Sequence, residues 1–512
     1  MRPLPRIALF FAAIHVLLHL ATADNLGFHR DEFLYLALGR HLDWGFWSNG
    51  PFIGAVSWLS QHWLGDSLPA TRVFPALAGG GLILLTGLVV RELGGGRFAH
   101  VVNGLAMLGS IAWLRAFGML MPVPFDVLFW TLLSWWVFKW LQTGQSRWWW
   151  AIGITAGLGM LNKYSIVFWA AGLPLAMLLT PHRKALLRPQ PWQAAGLALL
   201  VLLPNLWWQW QYNFPVVRHM RELAASQLVH VKPLNFLLDQ ILMQGPGGAL
   251  LWLAGLMFLL RSKATLPFRL LGWHFLAVLA IFLALNGKSY YTLGLYPLLM
   301  AAGAVWWERY LQKAWSRIAL ALVVVLLALP LAPTGIPLWP PERLAGYFRW
   351  LTYDAGIDAV VRWEDGELHE LPQDYADMLG WQELATMVDT AFLRAGEPER
   401  TLVYCENYGQ AGAVDHLSLP AIRPRLASFS DSYRLWAPDT LAPGVHNLIY
   451  VNDELGEDVA AQFSDIQKVG EVSHPMARER GAGVWLCRAP RSNMPAFWAA
   501  RVKEVKAFYG LK

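Results

Sequence analysis

Long apolar stretches separated by short polar segments dominate residues 1–333 of the chain. A bilayer core of roughly 30 Å requires about 20 apolar residues of helix, and on this measure the pattern predicts eleven spans. Their centres lie near Val16, Leu82, Leu105, Leu132, Thr155, Ala171, Val201, Leu256, Ala277, Leu298 and Leu326. The pattern therefore indicates a polytopic α-helical membrane protein with about 11 transmembrane helices.

The basic residues predict the orientation of these spans, because Lys and Arg concentrate in cytoplasmic segments. With the N-terminus inside, the inner segments carry 15 of the 24 Lys and Arg of residues 1–333. An odd number of spans then places residues 334–512 outside. The opening segment also has features of a secretory signal, but its apolar run is nearly of span length, so we predict an uncleaved helix.

This topology divides the chain into a transmembrane domain, residues 1–333, and an extracytoplasmic domain, residues 334–512. The transmembrane domain has two long outer loops, 24–72 and 211–243. The first loop combines amphipathic spacing, a turn at "WGFWSNGPFIG" and a second apolar run. This pattern predicts two helices at the membrane interface.

The C-terminal domain has the sequence pattern of a small soluble α/β domain. The stretch "LPQDYADMLGWQELATMVDTAFLRAG" predicts an amphipathic helix, and "RTLVYCENYG", "HNLIYVNDE" and "GAGVWLCRAP" predict buried strands. Both cysteines of the chain, Cys405 and Cys487, lie here. An oxidising compartment permits a disulfide between them, but unpaired core positions are the favoured interpretation.

Composition supports a membrane protein and excludes nucleic acid as an obvious partner. The chain is 56% hydrophobic with 29 Trp and only 15% charged residues, values that a soluble enzyme rarely has. Residues 334–512 hold 17 basic and 25 acidic side chains, so the net charge of +6 arises from the membrane half. Such a basic surplus beside spans suits anionic lipid head groups.

Carboxylates are rare in the membrane half, which makes their placement informative. Only ten precede residue 334, and five lie in loop 24–72, including the adjacent pair Asp31 and Glu32. Acids also favour the first turn of a helix, which is the alternative for this pair. Asp126 stands apart at the outer start of the predicted fourth span, where a carboxylate is costly and indicates function.

Several basic residues fall on the same outer face as these acids, namely Arg40, Lys163 and Lys288. Such a cluster at the lipid–water boundary suits chemistry on a lipid-linked phosphate, with a carboxylate as base and a cation on the leaving phosphate. Snorkelling is the alternative for Lys288. An aromatic belt is the alternative for Tyr290, Tyr291 and Tyr296.

Two further pairs of polar residues can each be explained either by a functional role or by ordinary helix structure. Arg218 and Arg221 lie in the second outer loop, where they suit either a charged donor or acceptor or a solvated helix face. His15 and His19 are four residues apart in the first span. Hydrogen bonding between helices is favoured over metal ligation for this pair.

Ordered blocks along nearly the whole chain resemble one family. The chain resembles the bacterial integral-membrane glycosyltransferases related to protein O-mannosyltransferases and to the lipid A aminoarabinose transferase, of the C-type glycosyltransferase superfamily. The blocks are "RDEFLYLALGRHLDWGF", "PALAGGGLILLTGLVVRELGGGRFA", "PFDVLFWTLL", "GLGMLNKYS", "PLNFLLDQIL", "GKSYYTLGLYPLLMAAGA", "ADMLGWQELA" and "ENYGQAGAVD".

The resemblance implies an inverting transfer of a hexosyl or pentosyl group from a polyprenyl phosphate to an envelope acceptor at the outer face of the inner membrane. It implies that Asp31 is the catalytic base supported by Glu32, that Asp126 is the second catalytic acid, and that Lys288 binds phosphate. The sequence departs from the family at "SNGP", residues 48–51, where the aminoarabinose branch has a Glu-Lys pair. No cofactor is implied with certainty, and a divalent cation is left open.

Two other functions are compatible with parts of the pattern. A secondary transporter requires internal repeats, broken helices and acids near mid-membrane, whereas these acids cluster at one surface. A non-catalytic scaffold of envelope glycan assembly is the second alternative, and the departure at "SNGP" is what favours it.

Overall fold

The computed structural model describes residues 5–226 and 232–511, so residues 227–231 of the second outer loop lie outside the described part. Its N-terminal part is helical. The helices are α1 (Arg6–Ala21), α2 (Arg30–Arg40), α3 (Pro51–Trp63), α4 (Leu68–Glu92), α5 (Arg97–Leu108), α6 (Ile111–Ala116), α7 (Pro122–Thr143), α8 (Arg147–Asn162), α9 (Ile166–Leu178), α10 (Pro189–Gln211), α11 (Pro215–Ser226), α12 (Pro233–Leu242), α13 (Gly245–Arg261), α14 (Arg269–Ala284), α15 (Tyr296–Tyr310), α16 (Ala314–Ala328) and α17 (Ala332–Gly335).

Every predicted span centre lies in a helix, but few of the helices meet the requirements of a span. Among the described residues, three segments are long and apolar enough to cross a membrane: Leu68–Glu92, Lys263–Ala284 and Ala314–Gly335. A fourth arises if Pro233–Leu242 and Gly245–Arg261, which meet at 100°, form one broken span. Others are short: the 12 residues of α5 extend only about 18 Å. Eleven spans are therefore not confirmed.

The first outer loop contains the two helices that its pattern predicts. Helix α2 begins at Arg30, and α3 begins at Pro51 directly after the "SNGP" turn. Proline suits this first helical position because its missing N–H has no partner there in any case. Helix α2 is buried along most of its length, from Glu32 to Gly39. It therefore lies inside the molecule and not on its surface.

The C-terminal domain is a sheet covered by helices. The helices are α18 (Pro341–Tyr353), α19 (Gln373–Ala376), α20 (Trp381–Ala395), α21 (Tyr408–Leu417), α22 (Glu457–Gln462) and α23 (Met494–Tyr509). The strands are β1 (Thr401–Cys405), β2 (Leu426–Ala427), β3 (Asn447–Asn452), β4 (Phe463–Glu471) and β5 (Gly483–Pro490). The single helix predicted around α20 is broken at Gly380, whose φ of +85° requires glycine.

Within the described residues these strands form one five-stranded sheet in the order β2-β1-β3-β5-β4. Strands β1, β2 and β3 are parallel, and β5 pairs antiparallel with both β3 and β4. Alternate side chains of a strand face opposite sides. Accordingly, Val403 and Cys405 pack with α20 and α21, whereas Leu402 and Cys487 pack with α23. Both thiols are buried and unpaired, as favoured from the sequence, because they lie on opposite faces.

Helix α21 joins the two domains by packing against α2. The Arg40 guanidinium donates to Asp415 Oδ2 at 2.5 Å and 3.2 Å, and Tyr408 donates to Asp31. A Cβ on Gly412 would lie 2.5 Å from the Cβ of Phe33, so only glycine permits this approach. The C-terminal domain and loop 24–72 consequently lie at the same end of the helical part.

Candidate active site

The start of α2 fixes the position of Asp31. His29 is the N-cap: its side chain accepts a hydrogen bond from the Asp31 N–H at 3.1 Å, and the Glu32 side chain accepts from the His29 N–H at 2.8 Å. This reciprocal pairing is a capping box with His in place of Ser or Thr. It fixes the backbone at Asp31, whose carboxylate is half-buried.

Glu32 is fully buried, and protein donors surround its carboxylate. Arg72 donates to Oε1 at 3.1 Å and to Oε2 at 2.7 Å, and the Leu120 N–H donates to Oε1 at 2.9 Å. Burial raises the pKa of Glu32, but Arg72 and the backbone donors outweigh it and hold the pKa below its ordinary value. Glu32 therefore ties the start of α2 to α4 and to the segment before α7.

The C-terminal domain supplies a direct partner of Asp31. The Tyr408 hydroxyl donates to Asp31 Oδ1 at 2.6 Å, and the Arg30 guanidinium lies 4.7 Å from the centre of the Tyr408 ring. Burial, and next the Asp31 carboxylate, raise the pKa of Tyr408 well above its ordinary value. At neutral pH the hydroxyl is therefore protonated and able to donate.

Asp126 lies in the first turn of α7 and is buried. Its Oδ1 accepts hydrogen bonds from Ser165 Oγ at 2.7 Å and from Trp130 Nε1 at 3.1 Å. Lys163, the C-cap residue that follows α8, interacts electrostatically with Asp126. The Lys163 ammonium also lies 4.9 Å and 4.5 Å from the rings of Tyr290 and Tyr291. The cation thus packs on two phenol rings and is within electrostatic range of the buried acid.

Tyr290 is within electrostatic range of both Asp31 and Asp126. Lys288, two residues earlier, precedes the 3₁₀ turn Ser289–Leu295. Burial lowers the pKa of Lys288, whereas Glu364 and Asp31 favour its charged form. Residues from four separate parts of the sequence therefore converge on one region.

Further polar groups surround the Arg30 side of this region. The Arg30 N–H donates to the Asp377 carbonyl at 3.1 Å, and Arg478 donates to Asp377 Oδ2 at 2.9 Å. Glu479 accepts a hydrogen bond from Gln410 Nε2 at 3.0 Å. Burial raises the pKa of both Asp377 and Glu479. These groups form a polar wall contributed by the C-terminal domain.

Four residues expected to bind substrate lie elsewhere. Arg40 is at the opposite end of α2, about 13 Å along the helix from Asp31, where it pairs with Asp415. Tyr296 is fully buried and donates to Gln240 Oε1 at 2.5 Å. Arg218 packs against Phe508 and Tyr509 of α23. Arg221 is exposed on α11. None of these four residues has a described contact with Asp31 or Asp126.

The "SNGP" turn lies close to the end of α8. A Cβ on Gly50 would be 2.0 Å from the Leu161 carbonyl oxygen, so the turn packs against the segment that carries Lys163. The histidine pair of α1 forms the expected contact between helices, with His19 Nε2 3.1 Å from the Leu114 carbonyl oxygen. In residues 5–226 and 232–511, no group of three or more His, Cys, Asp or Glu is arranged to hold a metal ion.

Sequence reasoning did not identify Tyr408, Asp377 or Glu479 as parts of this region. The available signal was indirect: Tyr408 lies in "ENYGQAGAVD" and Asp377 in "ADMLGWQELA", both recognised as blocks of the resemblance. A single sequence gives no indication that α21 packs onto α2. The contact with Asp31 therefore required the structure.

Comparisons with known proteins identify similar sequences and a similar fold. Residues 48–208 match the family model described as dolichyl-phosphate-mannose-protein mannosyltransferase. The lipid A galacturonosyltransferase RgtD of Rhizobium johnstonii is 37% identical over 73 residues, which are 14% of this chain and 15% of that relative.

The fold has a solved counterpart. ArnT from Cupriavidus metallidurans superposes with a TM-score of 0.62 in its apo state and 0.63 bound to undecaprenyl phosphate, at 15% identity. Each superposition covers 93% of this chain and 97% of that one. The chain thus has the fold of ArnT, and its residues 48–208 match the dolichyl-phosphate-mannose-protein mannosyltransferase family model, as the resemblance inferred from the sequence predicts.

Proposed function

We propose that the protein transfers a sugar from a polyprenyl phosphate to a hydroxyl group of an envelope acceptor, with inversion at the anomeric carbon. The acceptor oxygen attacks the anomeric carbon while the bond from that carbon to the phosphate oxygen breaks. Asp31 takes the proton of the acceptor hydroxyl. The products are the glycosylated acceptor and the polyprenyl phosphate, so all atoms and charges are accounted for.

The observation that carries this proposal is that the Lys163 ammonium lies 4.9 Å from the centre of the Tyr290 ring. Tyr290 is within electrostatic range of Asp31 and Asp126, and Lys288 is within electrostatic range of Asp31. A carboxylate beside cations is the arrangement that an acid–base displacement of a phosphate requires, because the leaving phosphate gains negative charge in the transition state. Lys288 and Lys163 are the proposed phosphate-binding cations. Tyr290 and Tyr291 are proposed to position the donor beside them.

The other acids and bases receive supporting roles. Asp126 is proposed to orient Lys163, and Glu32 to hold the helix start that presents Asp31. Arg218 and Arg221 remain proposals for contact with a charged substrate outside the central region. The names of ArnT and RgtD associate this fold and sequence with undecaprenyl phosphate and lipid A. We infer from them a polyprenyl-phosphate donor and, as the first acceptor to test, lipid A.

The decisive experiment compares Asp31→Asn with Asp24→Asn, an exposed acid in the same loop. Asparagine preserves the shape of Asp31 and removes its basicity, so turnover should fall by about 10²–10⁴-fold with little change in KM. Both variants are assayed with undecaprenyl-phosphate-linked hexosyl and pentosyl donors. Near-wild-type turnover of Asp31→Asn would refute the assignment, and Asp126 would then be the base to test.

We also propose eleven spans, a cytoplasmic N-terminus and a periplasmic C-terminal domain in the bacterial inner membrane. The distribution of basic residues supports this topology, and so does the contact of α21 with α2. That contact requires an even number of crossings between the first outer loop and residue 334, and ten such crossings are proposed. An alkaline phosphatase fusion after Gly510 should be active, whereas activity only of a cytoplasmic reporter at that site would contradict the topology.

A further inference from the structure

A cavity of about 600 Å³ lies within the C-terminal domain, apart from the convergence around Tyr290. Helix α18 forms one wall through Phe348 and Arg349, and residues 361–371 and 475–480 form the others. Its volume lies within the range of small-molecule binding sites, which is about 300–1,000 Å³. The cavity is therefore large enough for a saccharide head group.

The charge of the lining favours an anion. Arg349, Arg478 and Arg480 line the cavity together with one glutamate, Glu370. Arg478 is held by Asp377 at 2.9 Å. Arg349 and Arg480 are exposed and form no ion pair with any residue of the described ranges 5–226 and 232–511. Guanidinium groups with unused donors match the geometry of phosphate and carboxylate.

One aromatic surface of the cavity is rigid. The rings of Trp363 and His369 stack with centroids 3.5 Å apart at 11°. Trp363 Nε1 donates to the Leu371 carbonyl at 2.8 Å, which fixes the plane of the indole. A pre-ordered apolar face beside a few charged groups is typical of a ligand pocket. It suits a ligand with both a sugar ring and negative charge.

The position of the cavity connects it to the membrane on one side. Helix α18 follows Ala314–Gly335, a candidate span, after only a short connection. Trp350 and Tyr353 on α18 are 46% and 75% exposed, and such aromatic residues are enriched at the membrane interface. An amphiphile whose chains remain in the bilayer can therefore place its head group here.

On the other side the cavity borders the candidate active site. Arg478 contacts Asp377, which accepts the N–H of Arg30, the neighbour of Asp31. Glu364, next to Trp363, interacts with both Arg478 and Lys288. The cavity wall and the wall behind Asp31 thus share residues. The cavity is therefore linked to the start of α2, which carries Asp31, through Arg478 and Asp377.

We propose that this cavity binds the anionic saccharide head group of a membrane-embedded acceptor, with Arg349 and Arg480 on its phosphate or carboxylate groups. The inference rests on the proposed glycosyl transfer and deepens it, because it assigns the acceptor to the anionic glycolipids. It also separates the acceptor from the donor phosphate, for which Lys163 and Lys288 are proposed.

The test measures binding, so it does not depend on turnover. The full-length protein in nanodiscs is titrated with bis-phosphorylated lipid A and with the same lipid after removal of its phosphates. The variant is R349Q/R480Q, and the matched control is R343Q/R394Q, which removes two exposed arginines that do not line the cavity. The cavity variant should bind phosphorylated lipid A about tenfold or more weakly, whereas the control should bind like the wild type.

Four outcomes would overturn the inference. The first is equal affinity of the wild type for the dephosphorylated lipid, and the second is unchanged binding by R349Q/R480Q. The third is competition by inorganic phosphate as strong as that by the phosphorylated lipid, which would make the site one for a simple anion. The fourth is loss of undecaprenyl phosphate binding in R349Q/R480Q, which would assign the arginines to the donor and reject the acceptor site.

These results are distinguishable from a failure of the proposed function. If Asp31→Asn retains turnover while R349Q/R480Q loses lipid binding, the proposed base is wrong and the cavity remains an anionic glycolipid site. If Asp31→Asn is inactive while R349Q/R480Q binds normally, the transfer stands and the acceptor must bind elsewhere.

Discussion

Replacing Glu32 with Gln tests the most heavily bonded side chain near the candidate site. The carboxylate is fully buried and accepts two hydrogen bonds from Arg72 and one each from the His29 and Leu120 N–H groups. Glutamine retains one oxygen but turns an N–H₂ group toward donors, and it leaves the Arg72 charge uncompensated. Breaking a buried ion pair in this way costs about 3–5 kcal/mol in the free energy of unfolding.

The measurement is unfolding in mixed micelles, followed by tryptophan fluorescence at neutral pH. Glu92→Gln is the matched control, because Glu92 pairs with Lys139 at 3.4 Å at a more accessible site, where loss of the pair costs about 1 kcal/mol or less. Equal destabilisation by the two substitutions would refute the argument from burial. E32Q/R72M should recover part of the loss, because the unpaired buried charge is then removed.

The loss of stability caused by Glu32→Gln should depend on pH. Burial raises the pKa of Glu32, but Arg72 and the backbone donors lower it below its ordinary value of 4.5. A depressed pKa in the folded state stabilises the protein above the unfolded pKa, and this contribution is lost as the pH falls through the folded pKa. The difference in stability between wild type and Glu32→Gln should therefore narrow below about pH 4.5. A stability difference that stays constant with pH would contradict the assignment of Glu32 as an ionised carboxylate in the folded protein.

Turnover of the partly rescued variant separates the two roles of Glu32. If Glu32 only positions Asp31, E32Q/R72M should regain activity in proportion to its folded fraction. A folded but inactive E32Q/R72M would instead place Glu32 in the chemistry, as the sequence-based expectation allows.

Two further substitutions probe the contact between the domains. Tyr408→Phe removes the donor to Asp31 and should lower turnover about tenfold with unchanged folding. Tyr404→Phe, on the opposite face of the sheet, is the control. Equal effects of the two substitutions on turnover would refute a specific role of Tyr408. Gly412→Ala places a Cβ 2.5 Å from that of Phe33, so it should expose the α2–α21 contact to limited proteolysis. Gly346→Ala, with nothing within 4 Å, should not, and equal cleavage would contradict the close packing.

The sequence predicted elements whose pattern is local. All eleven proposed span centres lie in helices, and β1, β3 and β5 coincide with the apolar runs that predicted them. The missed strand β4 has mostly exposed or half-buried side chains, so no buried run marks it. Strand β2 has only two residues. Span number was less predictable, because a helix shielded by its neighbours need not be long or uniformly apolar.

The candidate site was predictable only where one residue type is unusual for its surroundings. Asp31, Asp126, Lys163 and Lys288 are charged groups near apolar segments. In the structure Asp31 and Asp126 are within electrostatic range of Tyr290, Lys163 packs on the Tyr290 ring, and Lys288 is within electrostatic range of Asp31. Arg40 satisfied the same criterion, yet it pairs with Asp415. Its partner lies 375 residues away, a separation that no local pattern encodes. Charge near a span therefore identifies candidates without identifying their partners.

The C-terminal domain contributes directly to the surroundings of Asp31. Asp31 is bonded by Tyr408, Arg30 packs on the Tyr408 ring, and Gly409 leaves room for the Arg30 side chain. A domain that served only as a cover would need neither a hydrogen bond to the proposed base nor a glycine-dependent approach at that point. Docking of α21 onto α2 is therefore expected to be part of the active state. Variants that loosen this docking should lose turnover even when both domains remain folded.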